Sequence, residues 1–477
     1  MARLLSRGHV PVCMYIVLSG FVTHLAYSSK TFNTAGEACK FYLRRFGRIW
    51  LTLYFSFALA VVQRSLTNDL EPVKEYALEL LLLHSWASDT WASAKSLNRR
   101  YLNMVSWTLS TLALAWVLYP ALNPVFRRVP ARIGPTLGLM VLFSVTAIAP
   151  ALVLFLVRKG QGHGDTPGDL ISVEEYHYLY VFPPLRLSEF LLGMASSQLL
   201  KLLRVDGKLT WPHWQWVGWA SAAAIVMTTA TLPVDPNWVS TARWREEVNQ
   251  NPYAHHHRVD QEALMMSMFA PAWALVIIAA NAPVEDSSLV RTLRHPVISS
   301  IGNYSFAVYL FQCFWYYAWF ETEASNIPGI APGIYGAYLP GFLITLWLSA
   351  GMWTELVEAP FALAIKELLS DEVKPPPDSE AKDPSAPPPV VPGRFRPLLQ
   401  VALRVGIAFG VGVSILLLMY WVPSPNDSSV PDKAAANTTD PSTRVANAIA
   451  TVITNRTSGL PLSPRSVPGA NALQPAH

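Results

Sequence analysis

The sequence predicts an all-α fold, a polytopic membrane helical bundle with about ten transmembrane helices. Of its 477 residues, 52% are hydrophobic and only 14% are charged, whereas soluble domains carry about 25% charged residues. The chain also contains 17 Trp, 18 Tyr and 20 Phe, and aromatic side chains collect at the headgroup level of a bilayer. Apolar stretches of about 20 residues, the length that crosses a bilayer, recur along the chain. A lipid bilayer is therefore the expected environment.

Near-continuous apolar stretches locate the transmembrane segments, which we expect to be helical because lipid offers no partners to free backbone groups. They cover residues 8–26, 46–63, 105–122, 136–157, 184–203, 213–233, 263–282, 297–320, 333–356 and 399–422. A further apolar piece at Leu78–Trp86 is too short to cross and is typical of a re-entrant or interfacial helix.

Composition divides the chain into four segments. Residues 1–366 hold every predicted span except the last and form the main bundle. Residues 367–398 are rich in proline and charge, which predicts a linker because such a segment has too little apolar surface to fold. Residues 399–422 form an extra transmembrane helix. Residues 423–477 are rich in Pro, Ser, Thr and Asn, a composition that is typical of a disordered tail.

Lys and Arg are distributed unevenly between alternate loops. The set of loops that includes Arg44, Arg45 and Arg48 holds more of them, so this set is predicted to face the cytosol together with the linker. The C-terminal tail then lies on the luminal or extracellular side, where N-glycosylation sequons are used. The tail has three sequons, at Asn426, Asn437 and Asn455. We therefore expect a multi-pass glycoprotein of a eukaryotic secretory-pathway or plasma membrane.

Charge and histidine placement argue against two other kinds of site. A net charge of +4 is too small and too dispersed to indicate nucleic-acid binding. The histidine run His255–His257 lies in a predicted loop with Asp260 nearby. Adjacent histidines on a loop rarely form a closed metal site, so no metal is expected. No bound cofactor is expected either.

Six short sequence patches lie within or beside the apolar segments and contain small, basic or acidic residues. They read VLSGF at Val17–Phe21, FYLRRFGRI at Phe41–Ile49, WTLS at Trp107–Ser110, LRLSEFLLGM at Leu185–Met194, IGNYS at Ile301–Ser305 and EAPF at Glu358–Phe361. In this order they resemble acyltransferase family 3. Members of that family are integral-membrane enzymes that move acyl groups from a cytosolic thioester donor to hydroxyl or amine acceptors.

The resemblance implies a membrane enzyme that transfers an acyl group, other than an aminoacyl group, from acyl-CoA to a hydroxyl acceptor such as a sugar, a lipid or a small metabolite. Acyl-CoA is then a co-substrate. Arg45 and Arg48 lie one turn apart at the predicted cytosolic mouth of the second span. Paired guanidinium groups suit the phosphates of such a donor. Simple positive-inside anchoring is the other interpretation of these arginines.

Transfer to a hydroxyl needs a general base, normally a histidine. The family places an essential histidine in a helix before the VLSGF patch, and this chain begins too close to that patch to contain the helix. We therefore expect a truncated gene model or a degenerate paralogue. His24 and His84 lie within or beside apolar segments and are the candidate catalytic residues, although a packing role is the alternative for each.

Three further ionisable residues lie in predicted spans, where a charge is expensive and usually has a partner or a role. Arg186 and Glu189 are three residues apart and can pair on one helical face. Either a structural ion pair or a role in the site fits them. Glu358, near the cytosolic end of its span, either shapes a cavity or forms a solvated helix end.

A second class of function stays open. The absent histidine helix, and Thr111, Leu112 and Ala113 where the family often has acidic residues, favour a transporter or a catalytically inactive relative. The retained arginine pair and the LRLSEFLLGM patch favour the enzyme. The expected partners are the lipid bilayer, acyl-CoA and a hydroxyl-bearing acceptor.

Overall fold

In the residues that it describes, the computed structural model consists of helices joined by turns and short loops. These are residues 10–67, 73–86, 102–129, 132–160, 177–207, 213–231, 267–281, 288–316, 318, 332–369, 401–402, 404–408 and 410. No residue within these ranges lies in a strand, in agreement with the predicted all-α fold. Contacts group most of the described residues, residues 10–60 and those from 73 onward, into one compact unit.

The described helices differ greatly in length. They are α1 Val10–Tyr27, α2 Ala35–Thr67, α3 Val73–Leu80, α4 Trp107–Arg128, α5 Ile133–Gly160, α6 Pro183–Val205, α7 His213–Thr231, α8 Ala270–Ala280, α9 Ser288–Leu293, α10 Pro296–Tyr316, α11 Pro332–Trp353 and α12 Ala359–Leu368. Two 3-10 turns at His84–Trp86 and Met104–Ser106 and two π-helical turns at His177–Val181 and Thr354–Glu358 join some of them.

Four of the described helices are long and apolar enough to cross a membrane. They are α1, the Ala35–Ser65 part of α2, α4, and the Ile133–Val157 part of α5. Helices α6, α7, α10 and α11 overlap predicted spans without meeting both conditions, and α8 has only 11 residues. Of the predicted last span, only residues 401–402, 404–408 and 410 are described. The predicted count of about ten spans is therefore not confirmed.

Helices α1 and α6 cross in backbone contact at one glycine from each. A β-carbon on Gly20 would overlap the carbonyl of Phe190, and one on Gly193 would overlap the carbonyl of Val17. Small residues at a crossing let two membrane helices approach this closely. The VLSGF and LRLSEFLLGM patches therefore meet in space, and each supplies the glycine that the crossing requires.

Helix α2 begins in a capping box that the preceding loop supplies. The Glu37 backbone N–H donates to Thr34 Oγ1 at 3.2 Å, and the Glu37 carboxylate accepts from the Thr34 N–H at 3.3 Å. This reciprocal pair satisfies donors that a helix start otherwise leaves free. Asn123 of α4 also donates to the Lys30 carbonyl in the loop at 2.7 Å. The loop before α2 is thereby held against α4.

The apolar piece Leu78–Trp86 is not one continuous helix. Helix α3 ends at Leu80, and Leu82 then adopts a φ of 56°, a left-handed conformation that is uncommon for a residue other than glycine. The Leu82 carbonyl accepts a hydrogen bond from Ser110 Oγ of α4 at 2.6 Å. This turn directs the 3-10 segment that contains His84 towards the start of α4.

The π-helical turn Thr354–Glu358 joins α11 to α12 in the second half of the chain. Its last residue, Glu358, is 1% exposed, so the interpretation as a solvated helix end is wrong. Arg404, in the described part of the predicted last span, donates to the Leu356 carbonyl at 3.1 Å. After the turn, Ile365 of α12 contacts α2 so closely that a β-carbon on Gly47 would lie 2.8 Å from Ile365 Cδ1.

Candidate functional site

Two polar clusters lie along α2, one partly buried and one fully buried. We call the first the arginine cluster, made of Ser19, Thr23, Arg45 and Trp116, and the second the histidine cluster, made of Ser56, Glu79, His84, Asn103 and Ser106. Arg45 and Ser56 are eleven residues apart on α2, which corresponds to about 16 Å along the helix axis. Both clusters combine residues from segments that are distant in sequence.

In the arginine cluster, Arg45 faces α1. Its Nη2 donates to Thr23 Oγ1 at 2.6 Å and to Ser19 Oγ at 3.3 Å. Its guanidinium carbon lies 5.2 Å from the centroid of the Trp116 ring, a cation–π distance. The Trp116 indole N–H donates to the same Ser19 hydroxyl at 3.1 Å. Three helices, α1, α2 and α4, therefore meet around one cation.

The two arginines that flank Arg45 are placed differently. Arg48 lies one turn further along α2, but its side chain is outside the described part of the structure. The predicted geometry of the Arg45 and Arg48 pair thus stays a prediction. Arg44 is exposed, and its Nη2 donates to the Leu369 carbonyl at the end of α12 at 3.4 Å. Arg45 thus differs from Arg44 in being half-buried and hydrogen-bonded inside the bundle.

His24 directly follows Thr23 of the arginine cluster, but its ring faces α4. It is 3% exposed, and its Nδ1 lies 3.3 Å from the Tyr119 hydroxyl. Its ring centroid is 5.5 Å from that of Phe126. Lys201 of α6 donates to the His24 carbonyl at 3.5 Å and also to the hydroxyl of Ser28. His24 is therefore surrounded by aromatic rings, with an ammonium group at its backbone.

The carboxylate of Glu79 is the centre of the histidine cluster. It is 1% exposed and accepts from the backbone N–H of Leu102 at 2.7 Å, from that of Asn103 at 2.8 Å and from Ser106 Oγ at 2.9 Å. An ionised carboxylate only accepts hydrogen bonds, so three donors around one buried group suit the charged form. Glu79 therefore places a negative charge beside the start of α4.

Ser106 connects Glu79 to His84. The Ser106 hydroxyl donates to Glu79 Oε1, and His84 Nε2 lies 3.2 Å from the same hydroxyl oxygen. A serine hydroxyl has a single proton, so its oxygen must accept the hydrogen bond from His84. Nε2 is then the protonated nitrogen of the neutral ring, and the lone pair is on Nδ1. The chain His84, Ser106, Glu79 fixes the tautomer of a buried imidazole.

Asn103 joins the histidine cluster to α2 and α10. Its Nδ2 donates to Ser56 Oγ at 3.1 Å and to the Leu310 carbonyl at 2.8 Å. Beside it, the Tyr309 hydroxyl donates to the Val105 carbonyl at 2.9 Å. The start of α4 and the middle of α10 are thereby held together at this cluster.

Arg186 and Glu189 form an ion pair on α6, as their spacing allows. Arg186 Nη1 lies 2.9 Å from Glu189 Oε1, and each side chain is 1% exposed. Ser267, which precedes α8, accepts from Arg186 at 3.1 Å and donates to Glu189 at 3.0 Å. The ring of Tyr180 lies 5.6 Å from the Arg186 guanidinium. The contacts of Ser267 with this ion pair connect α6 to the segment before α8.

Some functional candidates were missed by the sequence analysis, and some cannot be placed. One feature of the sequence could have indicated a role for Glu79, because it is the one acidic residue in the apolar piece Leu78–Trp86. No such feature indicated Ser106 or Trp116, because Ser106 contacts His84, 22 residues away, and Trp116 contacts Ser19, 97 residues away. The sequons at Asn426, Asn437 and Asn455 and the His255–His257 run are outside the described residues.

Comparison with known proteins gives two matches in sequence and none in structure. Residues 3–354 match the model of acyltransferase family 3, an acyltransferase domain. The chain is also similar to acyltransferase MdmB of Streptomyces mycarofaciens, with 24% identity over 319 residues that cover 65% of this chain and 68% of that protein. No solved structure matches the chain. Both polar clusters lie inside residues 3–354.

Proposed function

Because this chain belongs to acyltransferase family 3, we propose that it transfers an acyl group from acyl-CoA to a hydroxyl acceptor, within a bundle of about ten spans. A sugar, a lipid or a small metabolite is the class of acceptor. The match of residues 3–354 to the family carries the acyl-transfer part of the proposal. The choice of acyl-CoA as donor rests on the arginine cluster.

Arg45 is suited to bind a phosphate of the donor. A guanidinium offers a planar fork of N–H donors that matches phosphate oxygens. Contacts with Thr23, Ser19 and Trp116 already restrict its rotamers, so less side-chain entropy is lost when a ligand binds. Arg48, one turn along the same helix, adds a second cation to the proposed donor site.

The spacing of the two clusters suits a CoA thioester. The rise of about 16 Å along α2 between Arg45 and Ser56 is comparable to the length of an extended pantetheine arm, which separates the CoA phosphates from the thioester sulfur. A phosphate held at Arg45 thus allows the thioester to reach the level of Ser56. At that level Asn103 contacts Ser56, and His84 lies in the same cluster.

The proposed reaction is attack by the acceptor hydroxyl on the thioester carbonyl. A C–O bond forms, the C–S bond breaks, and CoA leaves as the thiolate. The proton of the hydroxyl passes to a general base as the oxygen attacks. His24 and His84 are the buried imidazoles beside α2 in the described part of the bundle, and each is a candidate for this role.

Donor binding and turnover can be tested on the purified full-length protein. We expect acetyl-CoA, or a longer acyl-CoA, to raise its unfolding temperature, and to give acylated product with a panel of glycerol, octanol and octyl glucoside, detected by mass spectrometry. Combining Arg45→Ala with Arg48→Ala should abolish the thermal shift and raise KM for acyl-CoA by about tenfold or more. Arg44→Ala is the matched control, because Arg44 is exposed, and it should leave both unchanged.

The results separate this proposal from the alternative functions. If no acyl-CoA stabilises the protein and no product forms, the enzyme proposal is wrong. Stabilisation by acyl-CoA without any turnover would identify a catalytically inactive relative. Movement of an unmodified acceptor across proteoliposome membranes would identify a transporter.

We further propose that the tail is luminal or extracellular and glycosylated, in a eukaryotic secretory-pathway or plasma membrane. Its polar composition and its three sequons support this placement. Expression in a eukaryotic cell should give a protein whose gel mobility increases on treatment with an N-glycosidase. The triple variant N426Q/N437Q/N455Q should not respond. A wild-type protein that does not respond would contradict the placement.

A further inference from the structure

We propose that His84 is the general base of this reaction and that Ser106 and Glu79 position it. The proposal rests on the acyl transfer proposed above and assigns its proton-accepting step to one nitrogen. Three observations support it: the fixed tautomer of His84, the contrast with His24, and the position of the cluster relative to Arg45.

The hydrogen bonds of the histidine cluster prepare His84 to accept a proton at Nδ1. Because Ser106 donates to Glu79, its oxygen accepts from His84 Nε2, which leaves the lone pair on Nδ1. When Nδ1 takes the proton of the acceptor hydroxyl, the ring becomes positive. The Glu79 carboxylate stabilises that charge through Ser106, the role that a carboxylate has behind the histidine of a catalytic triad.

His24 lacks this arrangement. Its Nδ1 faces the Tyr119 hydroxyl at 3.3 Å, and its ring packs on Phe126. Among the described residues, no acidic side chain is hydrogen-bonded to it, and the Lys201 ammonium contacts its backbone carbonyl. A cation at the backbone of the same residue opposes a positive charge on its ring. His24 therefore fits a packing role and His84 fits the role of base.

The step balances without any further reactant. Nδ1 of His84 takes the hydroxyl proton while the acceptor oxygen bonds to the thioester carbon. The carbon–sulfur bond then breaks, its electron pair leaves with sulfur, and the imidazolium returns the proton to the CoA thiolate. The products are an ester and CoA, and His84 is neutral again.

Ser106 offers a sharp test because α6 contains a matched serine, Ser196. Both hydroxyl groups are fully buried, but Ser196 donates to the Leu192 carbonyl of its own helix. Ser106→Ala should lower kcat by about tenfold or more and leave KM for acyl-CoA unchanged. Ser106→Thr, which keeps the hydroxyl, should recover most of the activity. Ser196→Ala should leave kcat within about twofold after correction for the folded fraction.

His84 and Glu79 are tested with acetyl-CoA as donor and octyl glucoside as acceptor. His84→Gln should lower kcat by about 100-fold or more, while acetyl-CoA still raises the unfolding temperature as in the wild type. Imidazole added to His84→Ala should restore part of the activity. Glu79→Gln should lower kcat, and Glu79→Asp should lower it less. His24→Gln serves as the control and should keep kcat within about threefold.

The outcomes distinguish a failure of the His84 assignment from a failure of the proposed function. Wild-type turnover that survives His84→Gln but is lost in His24→Gln overturns the assignment and leaves the acyltransferase function in place. Equal losses in Ser106→Ala and Ser196→Ala, without recovery in Ser106→Thr, reduce Ser106 to a structural residue and also overturn it. Absence of wild-type turnover is the different result that counts against the function itself.

Discussion

Gly20 of α1 and Gly193 of α6 lie at the same helix crossing, each beneath a backbone carbonyl of the opposite helix. A β-carbon on either residue would overlap Phe190 or Val17 respectively. The overlap is with backbone atoms, which cannot move aside as a side chain can. The crossing is adjacent to Ser19, so its geometry also determines where α1 presents the hydroxyl that contacts Arg45.

Replacement of either glycine by alanine should therefore destabilise the protein. We expect Gly20→Ala and Gly193→Ala each to lower the free energy of unfolding by about 1–3 kcal/mol, because the helices must separate. Gly138→Ala in α5 is the control, since nothing lies within 4 Å of its built β-carbon. It should be neutral or stabilise by up to about 1 kcal/mol. Thermal unfolding in detergent measures all three, and equal midpoints for the three variants would contradict the crossing.

Removal of one partner of the Arg186 and Glu189 pair should be worse than removal of both. Glu189→Ala leaves a buried guanidinium without its carboxylate, and we expect a loss of about 3–5 kcal/mol. The double variant Arg186→Met with Glu189→Leu removes both charges and should be more stable than the single variant. Unfolding midpoints provide the comparison. A double variant less stable than Glu189→Ala would show that the pair does more than satisfy its own charges.

Trp116 should affect donor binding through Arg45. Trp116→Phe keeps an aromatic face for the guanidinium but loses the N–H that contacts Ser19. Trp116→Leu loses both, and a cation–π contact contributes about 0.5–2 kcal/mol. KM for acetyl-CoA should therefore rise in Trp116→Phe and rise further in Trp116→Leu. Trp216→Phe is the control because Trp216 is exposed, and a similar rise there would refute the role of Trp116.

Asn103 should contribute mainly to stability, because its amide group joins α2 to α10. Asn103→Ala leaves the Leu310 carbonyl and Ser56 without their donor, and we expect a loss of about 1–3 kcal/mol. Asn103→Asp should be at least as damaging, because it places carboxylate oxygens against the Leu310 carbonyl. Unfolding temperatures test the predicted order of stability of the wild type and the two variants. An Asn103→Asp variant as stable as the wild type would contradict the hydrogen bond to Leu310.

Local features of the molecule could be predicted from sequence, and contacts between distant segments could not. Apolar runs located the helices, and the three-residue spacing of Arg186 and Glu189 indicated their ion pair. The second span was predicted to begin at residue 46, but α2 begins at Ala35. The capping box of Thr34 and Glu37 is the local signal that accounts for the earlier start.

The partners of Arg45 and His84 depend on the packing of helices. The position of Arg45 at the predicted cytosolic mouth of its span suggested that it binds the phosphates of the donor. Nothing in the sequence indicated that Thr23, 22 residues away, would accept a hydrogen bond from it. Similarly, Glu79 and Ser106 are 27 residues apart, and their contact depends on how the segments before and after them pack. The periodicity of a single sequence does not indicate such contacts, so the cluster could not be predicted from the sequence.

The π-helical turn Thr354–Glu358 sets the rotational register of α12. Each residue of an α-helix turns the chain by about 100°, so deletion of one residue between Ala359 and Ile365 would rotate the rest of α12 by roughly that angle. Ile365 would leave its position opposite Gly47, and Leu369 would leave Arg44. The number of residues between the π-helical turn and Ile365 therefore determines which face of α12 lies beside the arginine-bearing part of α2, and insertions or deletions there should be tolerated far less than substitutions.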